Sequence, residues 1–296
     1  LAIGMGPKLF HKTGAETEYT IRALPIGGFC AMEGEEEGES ADPRAFPNRP
    51  WWQRLIILLA GVFMNFLTGL IILLCLFSGA EGFYQPVISG FVEGTSPAAQ
   101  QLLQVGDRIV QVDGHAIYLQ TDVSLFLGRV SGDRVDITVR RGEDTIRNEI
   151  PLTEIPQEDG TSRRMLGIYM DSAEPATFGL KLKTAWYQAI DYVRMVWLSL
   201  GDLVTGSVGL RDMSGVVGIV DMVGDLGEEG AAAAEAAGTS AFVGAMLNIL
   251  SFTAFIAINL AVMNLLPIQA LDGGQIFFMA VNWILLSVRG RKLDQK

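Results

Sequence analysis

The segment "NLLPIQALDGGQ", Asn264 to Gln275, puts an aspartate directly after a stretch with no charged residue from position 236 onward. A carboxylate held at mid-membrane depth costs roughly 2.5 to 3.5 kcal/mol unless it finds water, a partner or a cation. Asp272 therefore either reaches water at the end of the segment or faces a cation. Pro267 breaks a helix and frees carbonyls, and Gly273 and Gly274 allow close backbone approach. The segment reads as irregular backbone at membrane depth, which is tolerated where it is buried in protein or lines a cavity. Nitrogen and sulfur ligands are few: the histidines are His11 and His115, far apart in sequence, and the cysteines are Cys30 and Cys75. Cys75 lies inside an apolar run and Cys30 outside it, so no disulfide is expected between them.

The elements that must position these residues are apolar. Hydrophobic residues make up 49% of the 296-residue chain, which tilts the expectation toward a membrane protein. Leu55–Ala80 and Ala245–Ile268 are uncharged and meet the requirement of about 20 apolar residues for a bilayer-spanning helix. The run Gln275–Val288 is shorter and reads as an interfacial or re-entrant helix. Arg44, Arg49 and Arg54 precede the first window, and Arg289, Arg291 and Lys292 follow the second. By the positive-inside rule both chain ends are expected on the cytoplasmic side and the long intervening loop outside. The lipid bilayer is thus an expected partner. The net charge of −11 argues against nucleic acid.

Between these windows the pattern changes. Residues 1–50 form a cytoplasmic-side segment, in which 17–32 alternate and then reach Gly27-Gly28, the signal of a β-hairpin turning there. The acidic run "EGEEEGESAD" that follows reads as a solvated loop. Trp51 and Trp52 open the 51–80 helix as interface anchors. Residues 86–152 read as a small α+β domain of short strands and helices. Within it, "SPAAQQLLQVGDRIVQVDG" resembles the PDZ family, whose members accept an extended peptide as an added strand. Residues 153–240 are expected to be a connector, polar at first, with an amphipathic membrane-surface helix near 184–206 and an Ala/Gly-rich loop or short helix at its end. A transmembrane helix is expected over 242–268, the Asn/Pro/Asp-Gly motif over 264–274, and a short apolar helix with a basic cytoplasmic tail over 275–296.

"NLLPIQALDGG" resembles the Asn-x-x-Pro-x-Pro-x-Leu-Asp-Gly motif of the site-2 protease family, the membrane-embedded zinc metalloproteases of peptidase family M50. "AIGMGPKLF", "RALPIGGFCAM", "RPWWQRLIILLAGVFMNF" and "LRDMSGVVGI" resemble further pieces of its bacterial branch, in the family order. The resemblance implies a multi-pass α-helical membrane protein with an inserted α+β PDZ-like domain and a membrane-associated β-hairpin. It implies a Zn²⁺ cofactor with Asp272 as one ligand. Asn264 is implied to bond the substrate backbone or oxyanion, and the hairpin residues Ile21, Ile26, Gly27, Gly28 and Phe29 to hold an extended substrate. Asn65 matches a recurrent asparagine that contacts substrate or makes an interhelical hydrogen bond. The implied activity is cleavage of transmembrane segments of membrane proteins, such as anti-sigma factors or signal-peptide remnants, in the bacterial plasma membrane with the PDZ-like domain extracytoplasmic.

Three departures accompany the resemblance. The family's His-Glu-x-x-His helix, where i, i+4 spacing puts two imidazoles on one face, has no counterpart in the sequence, so by the resemblance two zinc ligands and the general base are missing and the chain as given is expected to be inactive by itself. By the family pattern the chain is expected to start after that helix and stop before a last span. Family prolines are replaced by Val62, Val216 and Gln269, the last lying between Asn264 and Asp272. Two rival readings remain open from the residues: a membrane-anchored PDZ adaptor or inactive homologue, and a transporter whose broken helix at 264–274 binds an ion.

Overall fold

The structure, a computed structural model, describes all residues except 1, 15–16, 31, 33–41, 94, 131, 157–161, 207–215, 237, 239, 270 and 290–296. The chain divides into two units, Leu1–Val62 with Asn264–Lys296, and Phe63–Met263.

The first unit opens with antiparallel strands β1 (Ala2–Thr13) and β2 (Glu18–Phe29). The chain reverses where Gly14 N–H donates to the Thr17 carbonyl at 2.8 Å. The hairpin expected at Gly27-Gly28 therefore turns elsewhere. Those glycines stay in β2, where Gly28 sits opposite Ile3 and Phe29 opposite Ala2. Of the acidic run only Asp42 is described, and it accepts from the backbone N–H of Arg44 at 2.7 Å. A short 3-10 turn, Phe46–Asn48, buries Phe46, and the Arg54 guanidinium lies 5.0 Å over that ring.

Helix α1 (Trp51–Ser78) follows. At about 1.5 Å per residue its length exceeds the roughly 30 Å hydrocarbon thickness of a bilayer. Its mean hydropathy reaches 2.5, yet only 17% of that apolar stretch is buried within the protein, so lipid is the solvent that suits its surface.

In the second unit, β3 (Gly82–Tyr84) and β4 (Gly90–Phe91) lead into α2 (Pro97–Leu102), β5 (Arg108–Val112), β6 (His115–Ala116), α3 (Gln120–Leu127), β7 (Arg134–Arg141) and β8 (Asp144–Pro151). The last four strands form an antiparallel sheet in the order β6-β5-β7-β8. Ile88, Leu103, Ile109, Val123, Phe126, Ile137 and Ile150 fill the core between sheet and helices. The "VDG" segment makes the β5–β6 turn with positive φ at Asp113 and Gly114, 47° and 78°. Such angles suit Asp and Gly in a primed hairpin turn. In the "VGD" turn, buried Asp107 receives two hydrogen bonds of 2.7 Å from Arg141. Burial is the largest single influence and would raise the pKa of its carboxyl, but the Arg141 hydrogen bonds, the Gln104 backbone N–H and the Arg141 charge together hold it below the ordinary value.

The segment after residue 152 departs from the expected polar connector. β9 (Thr153–Pro156) pairs with β10 (Ser162–Met165), β11 (Ile168–Tyr169) with β4, and β12 (Ala173–Pro175) with β3. Gly82 thus sits opposite Pro175, and the α+β module closes on itself well past residue 152.

Helix α4 (Phe178–Thr205) begins where the Thr177 hydroxyl accepts from Leu180 N–H at 3.3 Å and ends at left-handed Gly206. Its Ala185 and Ala189 pack with Leu73 of α1 and with Ala254 and Ile258 of α6 (Ala241–Asn264). A Cβ on Gly69 of α1 would lie 2.6 Å from Ile258 Cγ1, so the missing side chain is what lets α1 and α6 approach. The helix α5 (Val216–Ala236), where a loop or short helix is expected at the Ala/Gly-rich end, packs on α6 by the same device. A Cβ on Gly244 would lie 2.0 Å from the Gly230 carbonyl oxygen, and Asn248 donates to the Leu226 carbonyl at 3.1 Å. α6 has the second span-length apolar surface, with hydropathy 2.1. It stops at Asn264, short of the expected 268, and α7 (Asp272–Arg289) starts ahead of the expected 275.

Candidate active site

The motif that contains Asp272 is the connection between α6 and α7. Hydrogen bonds from Ile268 N–H to the Leu266 carbonyl (2.7 Å), Leu271 to Ile268 (2.9 Å) and Gly274 to Leu271 (3.0 Å) fold it tightly. Both glycines are dictated by contact. A Cβ on Gly273 would lie 2.4 Å from the carbonyl oxygens of Leu265 and Leu266, and one on Gly274 would lie 2.2 Å from that of Ile268. No side chain fits at either position without moving backbone. The apolar anchor is Leu266, which is buried, while Pro267, Ile268 and Gln269 are exposed.

Asp272 is half-buried in the first turn of α7. A helix N-terminus stabilises a carboxylate by about 0.3–1 kcal/mol at an exposed site. Its Oδ2 faces Gly61 of α1, where an added Cβ would stand 3.7 Å away. Gly61 does not stand out in the sequence; its only trace is a glycine inside the run "LLAGV". Asn264, half-buried, ends α6. The structure thus brings Asn264, Asp272 and Gly61 into one unit.

The remaining residues distribute as follows. Ile21 is exposed on β2, in register with Ile3 and Phe10. Ile26, Gly27, Gly28 and Phe29 continue β2, but their side chains lie outside the described residues. Asn65, half-buried in α1, belongs to the second unit. Val62 is buried in α1, and the side chain of Val216 lies outside the described residues. A cavity of about 1230 Å³ in the first unit is lined by Lys8, Arg22, Arg44, Arg49 and Trp52 among others; neither Asn264 nor Asp272 borders it.

A catalytic zinc takes three protein ligands and keeps one open position. Among the described residues no three His, Cys, Asp or Glu side chains come close enough together to hold a metal. His11 is exposed on β1, opposite Thr20, and His115 stacks on Phe126 at 4.5 Å in the second unit. The described residues offer the carboxylate of Asp272 as a single donor and do not by themselves make a zinc site.

The family model of peptidase family M50 matches residues 1–295. The chain belongs to that family, the site-2 type zinc metalloproteases of membranes, and it is a metalloprotease. A Clostridium acetobutylicum protein provisionally named a zinc metalloprotease is 34% identical over 99% of this chain and 79% of its own length. The regulator of sigma-W protease RasP of Bacillus subtilis is 26% identical over 100% of this chain and 84% of its own. The PDZ domain of the SdrC-like protein of Listeria monocytogenes is 29% identical over 30% of this chain and 90% of its own, with a TM-score of 0.24.

Proposed function

We propose that the protein is an intramembrane zinc metalloendopeptidase of the bacterial plasma membrane. It is multi-pass and cuts transmembrane segments of membrane-protein substrates, of the anti-sigma-factor or signal-peptide-remnant class. The observation that carries the reading is the α6–α7 connection, in which close-packed Gly273 and Gly274 fix a carboxylate at the end of an apolar helix, facing a residue without a side chain. In this reading Asp272 contributes one donor to the metal, and Asn264 donates a hydrogen bond to the substrate backbone or oxyanion. Ile21 to Phe29 of β2 hold the substrate extended, with Asn65 as a further contact. The α+β module lies outside the membrane, takes a peptide in a PDZ-like groove and screens out substrates with bulky ectodomains. Its order of helices and strands and the "VDG" turn support that assignment.

The test is Asp272→Ala and Asp272→Asn in the purified full-length protein, the form that carries the family's two histidine ligands, with zinc content measured by elemental analysis and cleavage of a transmembrane substrate followed in parallel. Both variants should lose the metal and the cleavage together. Retention of both would remove Asp272 from the metal site.

A further inference from the structure

Two aspartates outside the site share one buried pocket between α3 and α4. Asp122 of α3 is fully buried, and its Oδ2 accepts from the backbone N–H groups of Tyr118 (2.7 Å) and Leu119 (3.0 Å) and from Arg194 Nη1 (3.3 Å). Asp191 of α4 is 4% exposed, and its Oδ1 lies 3.8 Å from the same Arg194 nitrogen. Arg194 also donates to the Ala116 carbonyl at 2.7 Å, and its guanidinium lies 4.6 Å over Phe126 and 5.3 Å over Tyr118. Tyr118 stacks on Tyr187 of α4 at 4.7 Å. Beside the apolar contact of Leu198 with the module core, these polar and aromatic groups join the module to α4.

Oδ1 of Asp122 and Oδ1 of Asp191 are both buried with no hydrogen-bond partner if both carboxyls are ionised. Such orphaned oxygens are costly. One proton on Asp191 lets it donate to the neighbouring Asp122, a hydrogen bond that two carboxylates cannot make. It also leaves one negative charge against the single guanidinium. Removing it leaves two carboxylates on one cation in a buried site, the arrangement that two neighbouring carboxyls avoid by sharing a proton.

We propose that Asp122, Asp191 and Arg194 form a proton-sharing latch that docks the α+β module on α4 while the proton is held and loosens it when the proton leaves. Burial first, then the hydrogen bond to Asp122 and its charge, push the Asp191 carboxyl up to about 8, against the opposing pull of Arg194. The groups facing it are Asp122 from α3, Arg194 on its own helix, and the neighbouring Tyr192, which bonds Ser251 of α6. Tyr118, with Tyr187 of α4 stacked on it, and His115, through its stacking on Phe126, are the further charged and titratable groups around Arg194 among the described residues. The sign follows from linkage. The docked state binds more protons than an undocked one with an ordinary Asp191, so docking is strongest at acid pH and is lost as the pH rises through about 8. Between the ordinary carboxylate range and that value the docking constant falls by up to about 10-fold per pH unit, and it levels off above.

The latch would regulate the screening proposed above; that consequence rests on the gate reading, whereas the latch itself does not. A thiol placed by Leu198→Cys, with Cys30→Ser and Cys75→Ser, reports undocking through its alkylation rate relative to an unstructured thiol at the same pH. In the full protein the relative rate should rise between pH 6 and 8, stay flat in Asp191→Asn, whose amide mimics the protonated form, and rise as in the parent in His115→Gln. A parent rate independent of pH, or an Asp191→Asn rate that still rises, would overturn the latch. Cleavage of a long-ectodomain substrate and of its trimmed form at the same two pH values separates the readings. A docking shift without a change in their ratio retires the gate and leaves the latch standing.

Discussion

The α6–α7 connection and the α3–α4 junction each hold aspartate at low exposure, and they do so by opposite means. At the connection, backbone does the positioning: glycines pack on carbonyl oxygens, and Asp272 is aimed by the start of a helix toward the bare face of Gly61. At the junction, side chains do it, with a guanidinium, two aromatic rings and two backbone amides around a carboxyl pair. A carboxylate that is to bind something needs space kept beside it and rigid backbone behind it. One that holds two parts of a fold together needs its charge neutralised from within.

The comparison breaks most readily at Gly273. Alanine there places a Cβ 2.4 Å from two carbonyl oxygens, so the loop must shift by about an ångström. Misplacement on that scale costs about 10²-fold in rate. Gly273→Ala should therefore lower kcat/KM on a transmembrane substrate by roughly 100-fold, while leaving alkylation at the junction unchanged. A variant with near-parental turnover would mean that the loop backbone does not aim the catalytic groups.

At the junction the expected effect is on stability. Arg194→Ala removes the cation paired with fully buried Asp122, and breaking a buried pair from one side costs about 3–5 kcal/mol. Because Asp191 can keep its proton, the loss should fall at the lower end and grow with pH. Thermal unfolding of the variant against the parent at pH 6 and at about pH 9.5, on either side of the Asp191 value of about 8, checks both the size and the trend. A melting temperature that moves equally at the two pH values would deny the shared proton.

How far these two regions were legible in the sequence differs for the same reason. The connection announces itself, because Asn264, Pro267, Asp272 and two glycines stand together in an otherwise apolar stretch, and local steric rules act on neighbours. The junction does not, because Asp122 and Asp191 lie far apart and each looks like the solvated charge of an amphipathic helix. Span-length apolar segments and the Asp113-Gly114 turn were readable from composition and turn chemistry. The hairpin turn was not: Gly27-Gly28 satisfies the turn signal, yet the pair lies along β1, and the chain reverses at Gly14 and Thr17 instead. The strands at Ile168–Tyr169 and Ala173–Pro175 are too short to carry a period and form only because β4 and β3 offer them edges. Helix α5 was hidden by its glycines, which weaken a helix in isolation but let this one seat against α6.

The smallest expected effect is also the sharpest check on what Gly61 does. An alanine Cβ there would sit 3.7 Å from Asp272 Oδ2, an ordinary van der Waals contact that displaces nothing. In the middle of α1, alanine also gains about 1 kcal/mol of helix propensity over glycine. Gly61→Ala should then be as stable as the parent or slightly more so, with activity changed by no more than a few-fold. Gly61→Leu instead fills the space beside the carboxylate, and should lower zinc content and cleavage while the helix still forms. If leucine were as harmless as alanine, the glycine would serve packing alone, and the open side of Asp272 would have to lie elsewhere. If alanine were as damaging as leucine, whatever occupies the position beside Asp272 must approach α1 within a methyl group's width. That would place the reacting groups against this turn of the helix.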